Sequence, residues 1–170
     1  MLKDLNIVEF ADETASDSPA PGGGSIAALN ASMAASLLAM VAGLTVGKKK
    51  YMDVSDRMEE IQAELVKYKD EFVDGIDKDA NSFNGVMDAM KLPKETEEEK
   101  AARSEKIQEG YRNAIEVPLG LGMKVTELYD YARELAEKGN SNAITDVAVA
   151  LLNIEAAVHG AFLNVIINLN

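Results

Sequence analysis

One carboxylate breaks the pattern of its helix. Along "FVDGIDKDANSFNGVMDAM" (residues 72–90), Phe72 and Ile76 lead by a step of three to Asp79, after which Phe83, Met87 and Met90 resume the apolar series. Residues three and four apart share one helix face, so Asp79 is predicted to point inward. An unpartnered carboxylate in such a position costs on the order of several kcal/mol. Burial also raises its pKa, which suits a general acid or base near neutral pH. Asp77 falls off this stripe and is expected to meet water. Periodicity alone leaves Asp79 a second explanation, a structural carboxylate that caps another helix or pairs with a lysine.

Other candidates bind rather than react. In "SPAPGGGSIAAL", Pro21 precedes Gly22, Gly23 and Gly24, with Ser25 near the cap of a helix. Free N–H groups at a helix start favour anions, and missing side chains let a flat ligand lie against the main chain. A tight turn explains any single glycine as well, though three in succession less so. The stretch has neither the lysine spacing of a P-loop nor a GxGxxG after a strand. Lys48, Lys49 and Lys50 form the one clear basic cluster. Asp146 lies early in an apolar helix, where the helix dipole would also favour it. Asn164 and Asn168 share a face and could hydrogen-bond a polar heterocycle, or each other and nearby backbone. His159 is the only histidine, and on so apolar a helix it reads as a hydrogen-bonded core residue. With one His and no Cys, no metal site is expected.

These residues must be carried by helices, since strand signals are scarce. A short helix is predicted around Leu5–Asp12, then long ones at about Gly24–Val46 and Asp53–Met90. Pro93 breaks the second, and Thr96 with Glu99 forms a capping box for a third. Pro118 should kink that helix, with Gly120 and Gly122 loosening the next turn, and "EKGN" ends it at Asn140. A last helix covers about Ser141–Leu169. The fold class is all-α, a single domain over residues 1–170, with two nearly uncharged central helices inside charged ones. Small residues recur at Ala27, Ala31, Ala35, Ala39, Gly43 and Gly47, a face that invites close approach by another backbone and suggests a subunit interface.

The 170 residues suffice for one sizeable core. A net charge of -12 argues against nucleic-acid binding. The absence of cysteine excludes disulfides and thiol chemistry and fits a cytoplasmic setting. The N-terminus does not read as a signal peptide. Residues 18–47 carry no charge and are long enough to span a bilayer, but their Ala, Ser, Gly and Asn content favours a buried helix and no membrane.

Six segments, "APGGGSIAAL", "LTVGKKKY", "DKDANSFNGVMDAMKLPKETEEEK", "IQEGYRNAIEVPL", "AEKGNSNAITDVAVA" and "GAFLNVIINL", together resemble the formiminotetrahydrofolate cyclodeaminase / methenyltetrahydrofolate cyclohydrolase family. The similarity runs through nearly the whole chain in the same order. It implies an all-helical, homodimeric folate enzyme of one-carbon metabolism, with Asp79 as the acid/base residue. It makes Pro21 to Ser25 part of the folate site, with Lys48, Lys49 and Lys50 meeting a glutamate tail that can be polyglutamylated. Asp146, Asn164 and Asn168 join as further substrate-binding candidates. No cofactor beyond the tetrahydrofolate substrate is implied. Relatives usually continue with a further helix beyond Asn170, and bifunctional ones carry a transferase domain first; its absence tilts the expectation slightly towards the cyclohydrolase. The competing expectation is a non-catalytic helical module that only dimerises or binds a ligand.

Overall fold

The computed structural model describes residues 1–169, and the backbone alone at Phe83. Six α-helices follow one another: α1 (Ile7–Ala15), α2 (Gly23–Gly43), α3 (Ser55–Met90), α4 (Glu97–Thr126), α5 (Leu128–Lys138) and α6 (Ile144–Leu169). Short 3-10 turns precede α1, α3 and α6, and there is no strand among the described residues. The predicted helices are all present. α1 starts later than expected because Asn6 and Glu9 form a capping box.

Four helices make the bundle. α2 packs on α3 and α6, α4 packs on the same two, and α2 and α4 face each other across a diagonal. α2 and α6 are antiparallel: Gly160 abuts Ala27 at one end, and at the other the Asn140 N–H donates to Thr45 Oγ1 at 2.9 Å. The core is built from Leu38, Met58, Ile61, Leu65, Phe72, Leu128 and Ile154, all essentially without exposure. Gly47, at φ 69°, supplies the left-handed residue that turns the chain after α2.

Four expectations change. The small-residue face at Ala27, Ala31, Ala35 and Ala39 is buried within the chain's own bundle, where a Cβ on Gly160 or Gly75 would already crowd Ala27 or Ala28 at 3.1 and 3.3 Å. It serves α6 and α3, and the outward face of α2 carries Met33, Met40 and Leu44 instead. The predicted third helix divides at Glu127 into α4 and α5, and α4 continues through the buried Pro118. Beyond Asp79 the buried stripe of α3 rotates to Ala80, Ser82, Val86 and Ala89, leaving Met87 and Met90 40% and 41% exposed. The cause is that α2 begins opposite Asp79, so further along α3 packs on α4, with Gly110 against Val86. The side chain of Phe83 lies outside the described residues. Finally, Asp77 does not simply meet water: its Oδ1 accepts from the Leu2 N–H at 2.8 Å and ties down the N-terminus.

By length and composition two helical segments, Gly23–Gly43 and Ser141–Leu169, are apolar enough to cross a membrane, with mean hydropathy 1.7 and 1.6. In the bundle they pack against each other and against α3 and α4.

Candidate active site

α3 carries Asp79 to the start of α2, and glycine is what lets the two meet. A Cβ on Gly24 would land inside the Asp79 carboxyl group, so any other residue there displaces it. Ser25, buried one residue on, places Oγ 3.0 Å from the Ile76 carbonyl and 3.2 Å from Asp79 Oδ2. A hydroxyl has one proton for these two acceptors. With Asp79 ionised, Ser25 donates to the carboxylate; with Asp79 protonated, the acid donates to Ser25, which then donates to Ile76. The pair thus accommodates both states of the acid without moving a heavy atom.

Burial pushes the Asp79 pKa up, and hydrogen bonds from the Ser25 hydroxyl and backbone oppose the rise. The helix-capping explanation of this aspartate is therefore met in part, since Asp79 does serve the first turn of α2. It forms no salt bridge with any described Lys or Arg within 4.0 Å. A desolvated, unpaired carboxyl group has the electrostatics of a proton carrier.

Beside it, at the end of the bundle, lies a cavity of about 210 Å³ bounded by Gly22, Gly23, Asp79, Ser82, Asn164 and Asn168. A Cβ on Gly22 would meet nothing nearer than 3.9 Å, so the backbone there is open to a ligand, whereas one on Gly23 would press on Asn164 Nδ2 at 3.0 Å. The asparagines are held by a feature that spacing did not predict. Pro118 has no N–H to give the carbonyl of Ala114, four residues back. Asn168 Nδ2 donates to that carbonyl at 3.0 Å and to the Asn164 carbonyl at 2.9 Å, while Asn164 Nδ2 donates to the Gly160 carbonyl at 2.8 Å. These donations hold both amide side chains in place at the cavity wall. A second cavity, about 150 Å³, runs between α3 and α4 and also reaches Asp79.

The fold thus gathers Asp79, Gly22, Gly23, Gly24, Ser25, Asn164 and Asn168, with Pro21 buried just ahead of the glycines. It does not bring Lys48, Lys49 and Lys50 to them. These follow the far end of α2, roughly 30 Å away within the chain at 1.5 Å per residue. There Lys50 Nζ reaches Ser141 Oγ at 3.3 Å, and Asp146 lies in the first turn of α6 at the same remote end. The antiparallel course of α2 and α6 is the reason for both placements. The 3-10 turn before α6 is capped by Asn140, whose side chain accepts from the Asn142 N–H. His159 is exposed on α6, not in the core. Spacing also missed Lys78 and Lys124, which line the second cavity.

An all-helical bundle that sets a partly buried carboxyl group beside an open helix start and two held amides is built like the site of an enzyme that moves a proton. Among the described residues no three His, Cys, Asp or Glu side chains gather as metal ligands. The chain belongs to the formiminotransferase-cyclodeaminase family, whose pattern it matches over residues 6–170. It is 43% identical to the methenyltetrahydrofolate cyclohydrolase of Methylorubrum extorquens over 99% of its own length and 81% of that protein. It is 41% identical to the formimidoyltransferase-cyclodeaminase of Gallus gallus, with 89% of this chain aligned to 28% of a much longer protein. Among solved structures, the formiminotetrahydrofolate cyclodeaminase of Thermotoga maritima superposes with a TM-score of 0.87 at 32% identity, over 99% of this chain and 80% of that one.

Proposed function

We propose that the protein is a cytoplasmic tetrahydrofolate enzyme that works at the N5/N10 bridge with Asp79 as its proton carrier. It either hydrolyses 5,10-methenyltetrahydrofolate to 10-formyltetrahydrofolate or closes 5-formiminotetrahydrofolate to the methenyl compound with release of ammonia. The reading is carried by one observation, the desolvated Asp79 carboxyl group against the bare backbone of Gly24. Similarity to enzymes named for each reaction supports the substrate class.

In the hydrolysis, the Asp79 carboxylate takes a proton from the water that adds to the methenyl carbon. As the carbon–N5 bond breaks, the hydroxyl on the tetrahedral carbon gives its proton to solvent and becomes the formyl C=O, and Asp79 returns the first proton to N5. In the cyclodeamination, N10 attacks the carbon of the protonated formimino group and loses its proton to Asp79, which passes it to the resulting amine so that it leaves as ammonia and the methenyl cation remains. Both routes cross a tetrahedral carbon and change no oxidation state, so no cofactor beyond the folate itself is called for. Ser25 follows the proton in each direction by exchanging its acceptor.

The protein is further proposed to act as a homodimer, since Met33, Met40, Val149, Leu152 and Leu163 leave an outward apolar face on α2 and α6.

Asp79→Asn should lower turnover by about 10²–10⁴-fold in whichever assay the wild type performs, ammonia release or methenyl hydrolysis, with the fold retained. Asp77→Asn, on the N-terminal tether, should stay close to wild type. Wild-type rates in Asp79→Asn, or a dead Asp77→Asn, would remove Asp79 from the chemistry.

A further inference from the structure

Asp79 is the one described residue that borders both cavities, and they differ in character. The bundle-end cavity is lined by the side-chain-free Gly22 and Gly23 and by the amides of Asn164 and Asn168. The slot between α3 and α4 is walled by Phe72, Pro118 and Leu121, with Lys78 and Lys124 along it. Lys124 is already paired with Glu71 and lies over the Tyr68 ring. Lys78 is exposed, and although its charge is felt by Asp74, it forms no salt bridge within 4.0 Å of a described carboxylate.

A tetrahydrofolate has three parts in fixed order: a flat, polar pterin, an aminobenzoyl ring, and a tail of glutamate carboxylates. The reacting bridge joins N5 on the pterin to N10 on the arm of the ring, at the junction of the first two parts. A protein that does chemistry there needs its proton carrier between a polar compartment and an apolar one. We propose that the pterin occupies the bundle-end cavity, the aminobenzoyl ring enters the α3–α4 slot, and Lys78 receives a glutamate carboxylate at the slot's outer side. This assignment rests on the folate reading above and adds the direction in which the substrate lies. An apolar cavity of about 150 Å³ is the size that takes up benzene, so the slot fits one six-membered ring. The N–H groups of the pterin meet the asparagine oxygens, and its face lies on the glycines.

The test compares substrates with and without the tail. KM is measured for methenyltetrahydrofolate and for the matching methenyltetrahydropteroate, which ends at the benzoate, and likewise for the formimino pair if that is the reaction performed. Lys78→Ala should raise KM roughly tenfold for the folate and bring the ratio of the two KM values towards one. Leu121→Trp, which fills the slot, should raise KM for both substrates and abolish competitive inhibition by p-aminobenzoylglutamate. Equal losses on both substrates in Lys78→Ala, or an unchanged KM ratio, would overturn the assignment of the tail. Retained inhibition in a folded Leu121→Trp would overturn that of the ring. If the wild type turns over none of these compounds, the functional reading itself falls. An active wild type with flat ratios sinks only the orientation.

Discussion

Asp79 ties stability to pH in a direction set by its surroundings. Burial raises its folded-state pKa above the ordinary 3.8, so the folded chain holds this proton more tightly than the unfolded one. Its contribution to stability is fully present below the ordinary value and is lost as pH rises through the folded pKa. Asp79→Asn has no charge to desolvate. The variant is therefore expected to melt above the wild type at neutral pH, with the gap closing as the pH is lowered towards 3.8. Paired thermal melts across that range check it, and a variant that melts lower at neutral pH would mean the carboxylate is stabilised where it lies. Such a result would point to a structural anion rather than a poised proton carrier.

At the level of elements, the crossing of α2 and α3 depends on a single missing side chain. Gly24→Ala should push Asp79 off Ser25, destabilise the chain by about 1–3 kcal/mol through overpacking, and cut activity far more than stability. Gly22→Ala, with open space around it, should be mild in denaturant melts. Equal behaviour of the two variants would show that the glycines merely turn the chain.

The helices and the inward step to Asp79 were legible because both follow from the 3.6-residue period. Asn164 and Asn168 were legible as a pair for the same reason. Where the period failed was beyond Asp79, because past the start of α2 the stripe turns towards α4, with Gly110 against Val86. The lysines at 48–50 lie far from Asp79 within the chain because proximity in sequence says nothing about which end of a long antiparallel pair a residue occupies. Pro118 was read as a kink. Its structural consequence, a free carbonyl that orients Asn168, needs knowledge of which helix lies opposite.

For the whole molecule, the outer surface of α2 and α6 is where the proposed dimer would form. Leu152 and Leu163 are 65% and 64% exposed on a helix with almost no charge, a surface that calls for a partner. Light scattering is expected to give at least twice the 18.3 kDa chain mass at micromolar concentration. Charge placed in that face, as in Leu152→Glu with Leu163→Glu, should yield monomers. A wild type that stays monomeric throughout the range rules the interface out.

The N-terminal segment has a different standing. α1 buries none of its residues and is held at its two ends, by Leu2 on Asp77 and by the buried Pro21. Opening it uncovers no core, so its amide protons can exchange with solvent through local fraying, whereas those of α2 wait for the bundle to come apart. The chain therefore holds two regimes of hydrogen exchange within its first forty-three residues, and the boundary between them falls at the glycines that begin the site.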